Sequence, residues 1–256
     1  MYNETVEKIS NAGISKANIC NNEKRIYIVS SIFAGVMIGL GVLISFTVGG
    51  ILQAAQNPMA KILMGVAFSI ALTVVVFTST ELFTGNNFVM TVARLNKKVS
   101  TKDLVNVWIF SWVGNLIGAL ILGFIFVNTG LVDKGPVMAI FSKIAHVKAT
   151  MPFLPLFTRA ILCNFIVCLA VLLCFRTEND AAKILLIGLC LFTFVTSGFE
   201  HSVANMTVFS VAIFAKTISS ITVGQALYSL AVATLGNIVG GAIFLGCGIF
   251  AMKKNN

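Results

Sequence analysis

Residues 196–206 read TSGFEHSVANM, and they lie inside an apolar region bounded by Lys183 and Lys216. At a bilayer centre an ionisable side chain costs at least ~2.5–3.5 kcal/mol, so a glutamate beside a histidine there needs a use. The two bounding charges are 33 residues apart. A continuous helix of that length would run ~50 Å, against a hydrocarbon core of ~30 Å. The same arrangement occurs earlier: Lys61 and Arg94 are also 33 residues apart and enclose TSTELFTGNN at 78–87. Each region reads as a helix, a non-helical break and a half-helix. Irregular backbone at membrane depth is tolerated only where protein or a water-filled cavity satisfies it.

Composition sets the class. The chain has 256 residues, 57% hydrophobic and 11% charged, with mean hydropathy +0.95, whereas a soluble domain carries roughly 25% charge. This is an integral membrane protein. The first 25 residues are polar and carry no pattern of a cleavable signal peptide. Six cysteines show no CxxC spacing and read as small buried hydrophobes, with neither a metal site nor a disulfide framework implied. The net charge of +9 reflects membrane orientation and gives no footprint for nucleic acid.

Four plain spans accompany the two broken ones: Ile26–Thr47, Leu104–Val127, Phe153–Phe175 and Ala226–Met252. The order is span, broken span, span, and then the same again. GNLIG at 114–118 is echoed by GNIVG at 236–240, in equivalent places of the two halves. Three spans per half is odd, so the second half is inverted, and broken helices in corresponding positions point to a site near the midplane. The expected fold is all-α and integral to the membrane: six transmembrane helices in two inverted three-helix repeats, the second and fifth helices broken. The expected division is an N-terminal segment 1–25, a first repeat 26–127, an external loop 128–152, a second repeat 153–252 and a tail 253–256. Twelve Lys and Arg fall on the side of the two termini and six on the other, which places both termini in the cytoplasm.

Glu81 and Glu200 each fall in a break. They are expected to accept backbone N–H groups orphaned by the interruption, with ion coupling as the alternative. His201 is one of only two histidines, and imidazole exchanges protons near neutral pH. It is expected to share a proton with a weak-acid anion, because a bare anion crosses a dry constriction only at a Born cost of tens of kcal/mol. A haem subunit needs paired intramembrane histidines, and a serine protease needs a nucleophile and base on facing elements; neither pattern is present. No enzymatic activity and no cofactor are implied. A membrane anchor would not need two breaks. An aquaporin would carry Asn-Pro-Ala at both half-helices, and the breaks contain no proline.

ELFTGNNF (81–88), RAILCNFIVCLAVLL (159–173) and GFEHSVANM (198–206) resemble the formate/nitrite transporter family over essentially the whole chain. The resemblance implies an aquaporin-like protomer in a homopentamer of a bacterial cytoplasmic membrane, with a pore per protomer for small monovalent weak-acid anions. It assigns Thr84 and His201 to the selectivity site, with Asn164 and Asn205 as pore-side amides. Leu82 and Phe194 fall on the inner constriction, Phe68 and Phe83 on the outer, with Val167 nearby. Lys16 and Lys148 fall on the vestibule cations that attract anions. The run Gly85-Asn86-Asn87 looks closer to the clostridial hydrosulfide-channel branch, with formate or nitrite as the alternative substrate. Glycine pairs Gly35/Gly39, Gly114/Gly118 and Gly236/Gly240 permit close helix contact and are expected to help the pentamer form.

Overall fold

The computed structural model describes residues 2–215, 218 and 221–254, and among them every regular element is helical. Lys216, which closes the second broken region in the sequence, lies outside the described residues. Among the described residues six helical stretches are long and apolar enough to cross a membrane. The first is α2 (Lys24–Ala54). The second is α3 (Ala60–Phe68) continued by α4 (Ile70–Phe77), and the half-helix α5 (Phe83–Leu95) follows it. Next come α6 (Thr101–Val127), α8 (Phe153–Cys174) and α9 (Asp180–Ser197), the last followed by the half-helix α10 (Ser202–Phe214). The final span runs Val223–Ala251 as α11 (Val223–Ile238), a π-helical stretch Val239–Cys247 and α12 (Gly248–Ala251). The plain spans agree with the sequence reading to within a few residues at most ends; α2 extends seven residues past Thr47.

Two elements were not expected. The polar N-terminal segment forms α1 (Tyr2–Asn22), which buries Val6, Ile9, Gly13, Ala17 and Cys20 along one stripe. A residue every three or four positions is the helical period, but a polar mean hid it. The loop 128–152 contains α7 (Gly135–Ala149), entered at Pro136 and buried through Ile140, Phe141, Ala145 and Ala149. Proline suits a first turn, whose N–H groups lack intrahelical partners.

The breaks are tighter than the polar clusters that announce them. Non-helical backbone is confined to 78–82 and 198–201, so Thr84, Asn86, Asn87 and Asn205 all sit on half-helices. Gly198 ends α9 at φ +80°, its N–H bonding Val195 O while Phe199 N–H reaches Phe194 O. Ser79 repeats that geometry at φ +53°, with Ser79 N–H to Val76 O and Thr80 N–H to Val75 O. A left-handed residue capped by these two bonds is the Schellman ending of a helix. Leu82 and His201 then run extended, and each becomes the N-cap of a half-helix.

The glycine pairs act inside the protomer. A methyl group on Gly35 would strike Asn115 O, one on Gly118 would strike Ile32 O, and one on Gly240 would strike Ile161 O. These residues seat α2 against α6 and the last span against α8. They are therefore committed to intramolecular packing and lend no support to a pentamer, contrary to expectation. The cysteines divide: Cys20, Cys163 and Cys168 are buried, Cys174 and Cys190 half-buried, and Cys247 exposed.

Candidate functional site

The two breaks meet around one hydrogen bond. Thr84, in the first turn of α5, places Oγ1 3.0 Å from His201 Nε2, and both residues are buried. On one side lies a chamber of about 460 Å³ lined by Lys16, Ser79, Thr80, Glu81, Leu82 and Lys183 among others. On the other lies a chamber of about 390 Å³ that includes Phe68, Lys148, Phe194, Glu200, His201 and Asn205. We call them inner and outer for the α1 and α7 sides respectively.

His201 also caps α10. Ala204 N–H donates to His201 Nδ1 at 3.1 Å, so Nδ1 presents its lone pair and the hydrogen of a neutral ring belongs on Nε2. Nε2–H then donates to Thr84 Oγ1, which leaves the threonine hydroxyl hydrogen free to donate onward. A doubly protonated ring would set Nδ1–H against Ala204 N–H and forfeit the cap, which is worth about 0.5–2 kcal/mol for ordinary capping side chains. This geometry runs against the expected sharing of a histidine proton. A neutral ring that gave up its Nε2 proton would become an imidazolate.

Glu81 and Glu200 do not hold the orphaned backbone donors. Glu81 accepts from Lys16 Nζ at 2.8 and 2.9 Å and from Asn86 Nδ2 at 2.9 Å. Glu200 accepts from Lys148 Nζ at 2.6 Å and from Asn205 Nδ2 at 2.8 Å. The backbone donors go to two asparagines instead. Asn115 Oδ1 accepts from Phe83 N–H at 2.9 Å while its Nδ2 donates to Ser31 O and Glu81 O. Asn237 Oδ1 accepts from Ser202 N–H at 2.8 Å while its Nδ2 donates to Ala160 O and Glu200 O. Each amide thus ties a break to its half-helix and to a neighbouring span. These are the asparagines of the two GNxxG echoes, legible in sequence as a repeat but not as staples.

Lys16 and Lys148 consequently do not stand as free cations. Each ammonium is matched to a carboxylate, with lysine side chains 21% and 16% exposed, so the field either one projects into its chamber is largely cancelled. Asn86 entered the sequence reading only within the Gly85-Asn86-Asn87 run, and its contact with Glu81 was not expected there. It lies five residues after Glu81 as Asn205 lies five after Glu200, and its Nδ2 also reaches the buried Tyr27 hydroxyl at 3.1 Å.

The remaining candidates separate. Phe194 stacks on His201 at a centroid distance of 5.9 Å and meets Phe68 edge-on at 5.5 Å, so these two rings close the outer chamber together. Leu82, expected beside Phe194, lines the inner chamber. Phe83 turns to an apolar groove with Trp108 and Trp112 and lines neither chamber. Val167 is buried in the same core cluster as Leu82 and Phe194. Asn164 lies behind the site, its Nδ2 donating to Thr84 O at 3.2 Å, Asn87 Oδ1 at 3.1 Å and Asn237 O at 2.7 Å. It positions Thr84 from the rear, and it lines neither chamber.

Comparison with known proteins agrees with the fold. The family model described as Formate/nitrite transporter matches residues 3–251. The nitrite transporter NirC of Escherichia coli (strain K12) is 34% identical over 261 residues, covering 100% of this chain and 94% of NirC. A solved structure titled FNT family ion channel superposes with a TM-score of 0.92 at 33% identity, covering 98% of this chain and 99% of the other. A second, titled Pentameric formate channel with formate bound, gives a TM-score of 0.76 at 29% identity, with 89% and 96% covered.

Proposed function

This chain belongs to the formate/nitrite transporter family, and from that premise we propose that each protomer passes small monovalent anions of weak acids between its two chambers through the Thr84–His201 pair. The observation that carries the reading is that pair: two hydrogen-bonding side chains, one from each break, buried between two chambers. An anion entering from either chamber loses its hydration at Leu82 on one side or Phe68 and Phe194 on the other. The Thr84 hydroxyl then supplies a hydrogen bond in place of water, and because its oxygen accepts from His201 Nε2–H it is a donor polarised by a second donor, which is strengthened in a dry site. His201 acts here as a neutral donor. Asn164 and Asn205 hold the two breaks in position, and the Glu81 and Glu200 pairs keep the chamber floors polar while adding no net charge of their own.

The size and charge class covers formate, nitrite and hydrosulfide. A nitrite transporter and a formate channel among the relatives support the first two. Hydrosulfide rests on the Gly85-Asn86-Asn87 run, of which Gly85 lines the inner chamber while Asn87 turns away to Asn164. We place the protein in a bacterial cytoplasmic membrane with both termini in the cytoplasm, as a homopentamer of protomers built from repeats 26–127 and 153–252. The lysine and arginine bias supports the orientation, and the pentameric relative supports the assembly. Proteoliposome flux measured side by side for formate, nitrite, hydrosulfide and chloride tests the function. Uptake of at least one weak-acid anion well above chloride is expected. A purified protein that moves none of them would leave a membrane anchor as the reading. A monomer or dimer as the intact species in native mass spectrometry would remove the pentamer.

A further inference from the structure

The outer chamber carries more positive charge than the Thr84–His201 path uses. Lys61, Lys143, Lys148 and Arg159 all line it, and Glu200 is the one carboxylate residue lining it with them. Lys148 at 2.6 Å takes up that carboxylate. Among the described residues no carboxylate lies within ion-pair distance of Lys61, Lys143 or Arg159. Three charges therefore stay uncompensated, and they come from three separate elements, α3, α7 and α8. Lys61 brings its charge to the break, and Arg159 meets the break through its backbone. A methyl group on Gly198 would stand 3.6 Å from Lys61 Nζ, and Arg159 O accepts from Glu200 N–H at 3.3 Å. The inner chamber differs: its cations Lys16 and Lys183 are each paired at 2.8 Å, with Glu81 and Asp180.

Attraction to a fixed cation grows in proportion to an anion's charge. The Born cost of entering a dry constriction grows with the square of that charge. A monoanion is drawn in and can move on, whereas a dianion is held more strongly and stopped. We propose that the outer chamber is a binding site for a small divalent oxyanion of the sulfate, sulfite or hydrogenphosphate class, which occupies the mouth without crossing and competes with the monoanion from that side alone. Guanidinium and ammonium groups together suit such a ligand, the first by its planar fork and the second as a point charge. Competition rests on the pore reading above; binding does not.

Sulfate is the probe. Calorimetric titration of the detergent-purified protein with sodium sulfate, at ionic strength fixed with sodium chloride, should show saturable binding of one sulfate per protomer. Lys61→Gln/Lys143→Gln/Arg159→Gln, all three exposed positions, should abolish it, and Lys61→Arg should keep it. In phosphatidylcholine proteoliposomes of one orientation, sulfate on the outer-chamber side should slow monoanion uptake severalfold, with little effect from the other side. Binding no tighter than chloride's, binding that survives the triple substitution, equal inhibition from both sides, or transport of sulfate itself would each overturn the proposal. A sulfate effect that vanishes in phosphatidylserine vesicles would assign the three charges to lipid phosphate and likewise overturn it. Sulfate binding lost in the triple variant, in a protein that moves no monoanion, would uphold the site and remove the pore reading instead.

Discussion

At the first break Ser79 turns the chain at φ +53°, and at the second Gly198 turns it at φ +80°. From there the two runs stay in step. Glu81 answers Glu200, Asn86 answers Asn205, and each carboxylate meets a lysine brought in by a helix outside the six spans, Lys16 on α1 or Lys148 on α7. Asn115 and Asn237 staple the two breaks with matching bonds. Most of the intervening positions differ, and those where the two breaks meet are Leu82 against His201, Phe83 against Ser202 and Thr84 against Val203. Leu82 caps α5 with no side-chain bond, while His201 caps α10 through Nδ1. The scaffold is held in common and the donors are not. One break supplies the threonine and the other the histidine, so the two together make the proposed site.

The staples offer the largest test of what is common. Asn237→Leu would leave Ser202 N–H and the carbonyls of Ala160 and Glu200 without their partner. At about 1–3 kcal/mol for an unsatisfied buried group, reduced because alternative partners form in membranes, a loss of about 2–4 kcal/mol is expected. Asn115→Leu should cost a similar amount. Thermal unfolding in detergent measures both, and a large inequality would break the equivalence of the two halves.

The carboxylates come next. Glu200→Gln leaves Lys148 unpaired and Glu81→Gln leaves Lys16 unpaired, in places partly open to their chambers. Partial exposure lowers the ~3–5 kcal/mol typical of breaking a buried pair, so both variants should lose roughly 1–2 kcal/mol of stability with little change in which anion is preferred. A well-folded Glu200→Gln protein whose transport loses its pH dependence would restore the ion-coupling role.

The smallest effect concerns the lysines. Lys148→Gln should lower flux modestly, because it exposes the Glu200 charge to incoming anions, and less so at high salt, where the Debye length shortens to ~3 Å at 1 M. Adding Glu200→Gln should recover much of that flux. A Lys148→Gln loss that the second substitution does not touch would make the lysine a direct ligand of the anion.

How far the sequence carried this reading depends on the length scale of each contact. The spans and both breaks were legible because charge spacing and bilayer thickness are local quantities. The partners of the carboxylates were not, since Lys16 lies 65 residues from Glu81 and Lys148 lies 52 from Glu200. Asn115 and Asn237 stood out as an echo, but a staple appears only when α6 or the last span is laid against a break. Phe83 sits between Leu82 and Thr84 in sequence, and helical rotation at the start of α5 carries its ring away from both chambers. The π-helical stretch Val239–Cys247 had no local signal beyond its paired glycines.

In the proposed function His201 works as a neutral donor fixed by its own helix cap, and its hydrogen can be located directly. The chain has only two histidines, so His146→Gln leaves a single imidazole for nitrogen-15 NMR of histidine-labelled protein in lipid. A hydrogen on Nε2 and a bare, hydrogen-bonded Nδ1 are expected at neutral pH. A hydrogen on Nδ1, alone or together with one on Nε2, would contradict that role and return His201 to the role of proton carrier.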